Sequence, residues 1–440
     1  MNKTYPQIQT FTKSIVLLAC VVLLSTCQSD KKPCDCPQLN PALQKPVDTC
    51  GKLKVFLENS GSMDGYGIGY TEFKANLQNI VNLVENEATP KATELYYRNN
   101  RALRFKGTLD NFAAGADPDL FKTYYKDSIY DRSKTNTADG LAEIISGTKA
   151  DEISIFISDC VYSPTNSNQN IVHNFSLLRS NMQRSIEKKL SADKDFSVLL
   201  YRFTSTFTGI YYDINDEDVW LTKKERPYFV WIFGPRELLA KIYHALPRYL
   251  GKNDKKFQVY ANFATVPVNS AIKRSASYEL CDKSRWHIAD VKDKNKLNFE
   301  LQADLSTLPF DAALLEDKKS YTLQAVPSTG NYELLRVQKH PDDGKTTFTH
   351  EFRIGRRAAG KRKREKKNAG KVGHTLLTLT LRRPPMPAWV QQYDDPEGKD
   401  ILKGHAVKDT RRTFGLKPLI EGMEQAYAGT PYFSITLQIL

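Results

Sequence analysis

The sequence is poor in the residues and runs that would assign a chemistry at sight. Its 440 residues hold seven cysteines, five methionines, four tryptophans and seven histidines. Six of the histidines, His244, His287, His340, His350, His374 and His405, are scattered along the second half, and no His-Glu-x-x-His pair is present. That excludes the helix-borne zinc-hydrolase pattern, which needs two imidazoles on one helix face. No Ser/His/Asp order comes with a supporting nucleophile turn. No apolar run approaches the roughly 20 residues that cross a bilayer as a helix. With a mean hydropathy of -0.49, a polytopic membrane protein is excluded. What the chain does have is length for two or three domains. It also has 40% hydrophobic residues with which to fill their cores, which argues against wholesale disorder. Lys and Arg number 63 against 50 Asp and Glu, a formal charge of +13. Part of that excess sits in one late run, so it says little about the surface of the first domain.

The N-terminus is distinctive. Lys3 and Lys13 precede an apolar stretch at 15–24, which ends in Leu24-Ser25-Thr26-Cys27 and a polar run. The stretch has the length and flanks of a signal-peptide hydrophobic region. It resembles a bacterial lipoprotein signal, with Thr26 standing where Gly, Ala or Ser is usual. The resemblance implies that 1–26 is a lipoprotein signal peptide and that Cys27 carries the lipid. The protein is then expected in the bacterial cell envelope, extracytoplasmic and lipid-anchored, at the outer membrane. Leu17-Leu18-Ala19-Cys20 fits the local pattern too, but leaves an apolar region of only about five residues. A plain secretory signal or an uncleaved anchor would export the chain equally. Residues 27–50, rich in Pro, Asp, Lys and Asn, read as a flexible tether. Cys34, Cys36 and Cys50 could supply one disulfide in an oxidising compartment. The Cys34-Asp35-Cys36 pair has no second ligand pair nearby for a metal.

From 51 to 255, strand-like and helix-like stretches alternate. Residues 52–57 read as a buried strand, followed by the polar glycine-rich loop 58–69. Phe73, Leu77, Ile80, Val81 and Val84 then mark one face of a helix. Residues 93–97 and the nearly continuous apolar run 152–158 read as strands. Residues 138–145 and 171–190 read as helices. Strands at 196–201 and 228–233 follow, then a helix from Pro235. Residues 201–220, rich in aromatics, read as a packed hairpin or a partner-binding surface between those two strands. The alternation predicts a mostly parallel sheet covered by helices on both faces, of Rossmann type. Ligands of such sheets sit beyond the carboxyl ends of the strands.

Two strand ends of that kind carry oxygen donors. Glu58, Ser60 and Ser62 follow the first strand at spacings of two, and Asp159 follows the central one. Thr135-Asn136-Thr137 supplies further hydroxyls ahead of a helix. A hard divalent cation takes oxygen ligands, and Mg²⁺ takes six in octahedral order. Two Ser and one Thr direct, with carboxylates partly through water, leave one position for an outside ligand. The pattern resembles the metal-ion-dependent adhesion site of von Willebrand factor A (vWA) domains. Ser60 and Ser62 match the two serines of Asp-x-Ser-x-Ser, Thr135 the threonine, and Asp159 the distal aspartate. Glu58 departs from the family's Asp by one methylene. The resemblance covers about 190 residues and implies a vWA fold with Mg²⁺ or Mn²⁺ at Glu58, Ser60, Ser62, Thr135 and Asp159. A partner's acidic side chain would complete the shell. Asp64, Tyr66 and Tyr70 are expected on the rim of that site. The plain alternative is a Gly/Ser strand-to-helix turn. The loop is not the Gly-x-x-x-x-Gly-Lys-Ser/Thr cradle for phosphate.

From 256 to 440 short strands dominate, separated by Asp, Lys, Gly and Pro turns, which predicts a β-rich, sandwich-like domain. Residues 418–427 read as a helix and 432–440 as a closing strand. The basic stretch 353–371 reads as a solvated loop, or as a contact for anionic lipid head groups or acidic polysaccharide. Export makes nucleic acid an unexpected partner. The expected function is non-enzymatic: binding of an envelope or extracellular protein through the metal-dependent site. The alternatives are a scaffold subunit of an envelope complex with a degenerate, metal-free site, and an enzyme activity in the C-terminal domain.

Overall fold

The computed structural model describes residues 39–40, 49–114, 137–163, 171–250, 257–281, 285–292, 297–308, 310–327, 332–341, 346–356 and 375–440. The expected signal peptide, Cys27, Thr135 and the basic stretch beyond Arg356 lie outside them. Among the described residues, no helix is long and apolar enough to cross a membrane.

A seven-stranded sheet forms from β1 (Lys52–Glu58), β2 (Thr93–Arg98), β3 (Ala102–Phe105), β4 (Glu152–Ser158), β5 (Phe196–Tyr212), β6 (Asp218–Pro235) and β7 (Gln258–Asn262). Their spatial order is β3-β2-β1-β4-β6-β5-β7. Alternation along the strands feeds two cores. Ile153, Ile155 and Ile157 of β4 join Phe73 and Leu77 of α1 (Glu72–Ala88) in one. Phe156 joins Leu141 of α2 (Thr137–Gly147) and Leu178 of α3 (Ile171–Ala192) in the other. On the first face, α4 (Arg236–Leu250) packs beside α1.

The α/β architecture with helices on both faces is as expected, but the sheet is mixed rather than mostly parallel. Only β2–β1 and β1–β4 pair in parallel. The pairs β2–β3, β4–β6, β6–β5 and β5–β7 are antiparallel. The cause is the direct return from β5 to β6. The stretches at 196–201 and 228–233 are the stems of one long hairpin, closed by a turn in which the Asp213 carboxylate accepts the N–H groups of Asn215 and Glu217 at 2.8 and 3.0 Å. No crossover helix intervenes, so the two strands cannot run parallel.

Smaller, mostly antiparallel sheets follow. One has the order β12-β15-β18-β10-β9 and the other β13-β14-β11-β8. Their strands are β8 (Ser270–Ile272), β9 (Tyr278–Leu280), β10 (His287–Val291), β11 (Asn298–Ala303), β12 (Tyr321–Val326), β13 (Tyr332–Lys339), β14 (His350–Arg356), β15 (Thr375–Leu381) and β18 (Phe433–Ile439). Phe352 of the second sheet meets Tyr321 and Phe433 of the first at ring-centroid distances of 5.1 and 6.5 Å, so the inner faces share a core.

The expected boundary at 255/256 is crossed twice. β7 completes the first sheet, and a late segment returns to it. That segment contains the two-residue pair β16 (Asp394–Asp395) and β17 (Thr413–Phe414), and then α5 (Leu416–Tyr427). Leu416, Leu419, Ile420 and Met423 of α5 are buried in the same core as Leu178, Met182 and Ile186 of α3. The expected tether is fixed at one point. The Asn40 amide donates to Thr436 O at 3.0 Å and accepts Thr436 N–H at 2.8 Å, pairing with β18 as a strand residue would. Cys50 is a free buried thiol and not part of the disulfide expected near the tether. Cys281 is disulfide-bonded.

The α5–α3 contact rests on Gly422. A Cβ there would sit 2.4 Å from Arg179 O and 2.9 Å from Met182 Cβ, whereas one at Gly147 meets nothing within 4 Å. Gly422→Ala is expected to destabilise the protein by about 1–3 kcal/mol through overpacking, with Gly147→Ala close to neutral. Urea unfolding of both variants checks this, and equal stabilities would overturn the packing argument.

Candidate functional site at the carboxyl edge of the sheet

β1 and β4 are adjacent and parallel, with Leu57 opposite Ile157. The chain therefore leaves both strands at one edge, and Glu58 and Asp159 emerge side by side there. After Glu58 the backbone is extended at Ser60 and tightens into a 3-10 turn at Gly61–Met63. A single helical turn, Asp64–Gly67, follows. This brings Ser60 Oγ and Ser62 Oγ to 2.9 Å. Ser62 also lies close enough to Asp159 to favour its charged form.

The turn after β4 is equally specific. Cys160 has φ +53°, a left-handed conformation that costs a β-carbon residue about 1 kcal/mol or more. Three contacts hold it there. Ser158 Oγ accepts Cys160 N–H at 2.7 Å, Asp159 Oδ1 accepts Val161 N–H at 3.2 Å, and Trp231 Nε1 donates to Cys160 Sγ at 3.4 Å. Burial pushes the Cys160 thiol up to about 12, so it is inert as a nucleophile.

The site is closed. Glu58, Ser60, Ser62 and Asp159 are 2%, 6%, 9% and 1% exposed. Their cover is the distal part of the β5–β6 hairpin. Cβ atoms built on Gly61 and Gly65 would lie 2.9 Å from Tyr212 Oη and 2.3 Å from the Phe207 ring. Neither glycine has a positive φ, so they serve close approach rather than turn geometry. Two latches hold the cover. The Glu72 carboxylate accepts Thr206 N–H at 3.1 Å, a bond that lowers its pKa, and Ser205 Oγ accepts Phe73 N–H at 3.1 Å. The late segment backs the hairpin. Thr410 Oγ1 donates to Glu225 O at 2.9 Å, and Lys403 N–H to Asp213 at 3.1 Å.

Burial raises the Asp159 pKa, and the Arg226 guanidinium, the largest opposing influence, does not offset it. Arg226 comes from β6 and is fully buried. It lies over the Tyr211 ring at 4.5 Å and 5.6 Å from that of Phe207.

The expected residues fare differently. The Ser60 and Ser62 hydroxyls meet, with Ser62 close to Asp159, and Glu58 is buried at the same edge of the sheet. Thr135 falls outside the described residues, and Thr137, two positions on, opens α2 in a buried position. Of the expected rim, Tyr70 is fully exposed and Asp64 partly exposed, but Tyr66 is completely buried. Its ring packs against Phe73, Phe207 and Tyr228, so it is a core residue and not a rim residue. Sequence reasoning missed Arg226 and Cys160. Arg226 sits in Lys223-Lys224-Glu225-Arg226-Pro227, which reads as an ordinary solvated face. Among the described residues, no group of three or more His, Cys, Asp or Glu is placed to hold a metal ion. The candidate set has two carboxylates and is otherwise made of hydroxyls. Compared with known proteins, the chain matches no family model, no curated protein and no solved structure.

A second concave feature, a cleft of 520 Å³, lies between α3 and α5 and is lined by Phe175, Arg179, Asp394, Arg412, Lys417 and Glu421 among others. Burial pushes the Asp394 carboxyl up to about 6, although Lys417 N–H donates to it. The native pKa lies above the ordinary 3.8, so between these values the native state holds a proton that the unfolded chain has released. Stability from this group is present at low pH and falls as pH rises through that window. Asp394→Asn keeps an acceptor for Lys417 N–H and removes the penalty. Its unfolding midpoint is expected to exceed that of the wild type above pH 6 and to match it below pH 3.8. Calorimetry across that range checks this, and a pH-independent difference would contradict it.

Proposed function

We propose that this chain is a non-enzymatic, lipid-anchored protein of the bacterial cell envelope. In this reading its first domain is a vWA-type module that binds another protein and carries a divalent-cation site at Glu58, Ser60, Ser62, Thr135 and Asp159. One observation carries the reading: the Ser60 and Ser62 hydroxyls, 2.9 Å apart, packed beside the buried Asp159. Around Mg²⁺, with metal–oxygen distances of 2.0–2.1 Å, neighbouring ligands of an octahedron stand about 2.9–3.0 Å apart. The hydroxyl pair has that spacing. Asp159 Oδ2 is buried without a hydrogen-bond partner among the described residues, and burial raises the pKa of the carboxyl. The donor set therefore fits a hard cation, with Ser60 and Ser62 as direct ligands and the carboxylates as charge partners. A bound cation would supply charge neutralisation and fix the loop. A partner's acidic side chain reaches it only with the hairpin lifted. With the hairpin down, Tyr70 and Trp220, 100% and 62% exposed, are the aromatic groups the loop and hairpin offer to a partner. Tyr and Trp are enriched at such interfaces.

A second reading, a scaffold subunit with a metal-free site, is favoured by the cover over the four donors and by the Arg226 guanidinium, which already favours the charged form of Asp159. The two readings separate in one experiment on the full-length chain in detergent. Under the first, calorimetric titration with Mg²⁺ or Mn²⁺ shows binding that a Ser60→Ala, Ser62→Ala double variant loses by tenfold or more, about 1.4 kcal/mol. Partner capture from the native envelope is likewise reduced by EDTA. Indistinguishable titrations for wild type and double variant would reject the metal site, and capture unaffected by EDTA and by the double substitution would support the scaffold.

A further inference from the structure

The cleft between α3 and α5 is a preformed concave site that the cation reading leaves unused. Its 520 Å³ fall within the roughly 300–1,000 Å³ of small-molecule sites. Its walls are fixed. The close approach at Gly422 holds α3 against α5, and the pairing of β16 with β17 holds Asp394. Phe175, whose ring lies 5.3 Å from that of Phe414, and the exposed Val172 supply an apolar wall.

The charges of the cleft do not close among themselves. Three cations, Arg179, Arg412 and Lys417, line it with two carboxylates, Asp394 and Glu421. Asp394 is 3% exposed. Its Oδ1 accepts Lys417 N–H at 2.9 Å, but Oδ2 accepts no hydrogen bond and the carboxylate makes no ion pair among the described residues. A buried carboxylate so placed lacks a donor and a positive charge to replace its lost water. Arg412 is already committed to Asp400 at 2.8 Å. Arg179 and Lys417 share a single carboxylate, Glu421, at 3.3 and 3.7 Å, so one positive charge is left over. The cleft therefore offers an unmatched carboxylate and an unmatched cation beside an apolar wall. None of these residues belongs to the edge that carries Glu58 and Asp159.

We propose that this cleft binds a small zwitterion with an apolar body, an amino acid or a short peptide, its free ammonium on Asp394 and its carboxylate on Arg179 and Lys417. The ammonium gives Oδ2 the donor it lacks, in a charge-assisted bond at a buried position. The carboxylate takes the positive charge that Glu421 leaves unmatched. Phe175 and Val172 cover the apolar body. A ligand with only one of the two charged groups leaves the other charge of the cleft uncompensated, so both are required.

The test is calorimetric titration of the full-length chain in detergent with leucine, alanyl-leucine and leucyl-leucine, each also in N-acetylated and in C-amidated form. At least one free zwitterion is expected to bind with a Kd below about 1 mM, and each of its blocked forms at least tenfold more weakly. Asp394→Asn keeps the acceptor for Lys417 N–H but places amide N–H groups where an ammonium would sit. It is expected to weaken the free form to the level of the acetylated one. The Arg179→Met, Lys417→Met double variant is expected to weaken it to the level of the amidated one. Thermal unfolding of each variant confirms that it is folded. No binding of any of the three, or equal binding of free and blocked forms, overturns the proposal on the wild type alone, whatever the variants do. Binding that discriminates free from blocked forms but is unchanged in both variants places the zwitterion elsewhere and overturns the assignment to this cleft.

Discussion

The carboxyl edge of the sheet is organised by the removal of two carboxylates, Glu58 and Asp159, from water. Desolvating an ionised carboxylate is unfavourable by several kcal/mol unless opposite charge and hydrogen bonds replace the lost water. The parallel pairing of β1 and β4 makes the problem unavoidable, because it delivers both side chains to the same place. The local features answer it in part. Val161 N–H, the Ser62 hydroxyl and the Arg226 guanidinium all favour the charged form of Asp159. The left-handed turn at Cys160 brings Val161 N–H to 3.2 Å from the Asp159 carboxylate. Compensation remains incomplete, since burial still dominates the Asp159 pKa.

The cover over this edge is built from parts far apart in the chain. The β5–β6 hairpin lies on the loop because Gly61 and Gly65 have no side chain to keep Tyr212 and Phe207 away. The hairpin is in turn braced by residues beyond 394, where the Asp395 carboxylate gathers the N–H groups of Glu397, Gly398, Lys399 and Asp400 into a tight turn. Arg202 of β5 also lies against this region, its guanidinium 3.3 Å from the Tyr393 ring centroid. A cover braced at several points moves as a unit or not at all. Access to the four donors is therefore a property of the whole N-terminal domain together with its C-terminal brace.

Much of the fold was legible in the residues. The apolar run 152–158 coincides with β4, and 171–190 is nearly all of α3, because continuous burial and a 3.6-residue period leave strong local patterns. Most of the short strands after 270 were legible for the same reason, but β8 and β10 were not. The strand directions after β4 were not. The stretches at 196–201 and 228–233 look alike whether they are joined by a crossover or by a hairpin, and only the turn at Asp213 decides between them. Tyr66 was read as a rim residue from its place in a polar loop. Its burial depends on Phe207 and Tyr228, both well over a hundred positions away.

By itself, the sequence determined the oxygen-rich loop after the first strand, the acid after the central strand and the layered alternation that makes strand ends a site, since each is encoded by neighbouring residues. The tertiary structure decided that Ser62 lies against Asp159 and that Glu58 is buried at the same edge. It also decided that this edge lies under a cover, that an arginine from an unremarkable charged run is buried in that cover, and that residues after 394 close the first domain. Those are consequences of long-range packing between surfaces. No local pattern records which surface a side chain will meet.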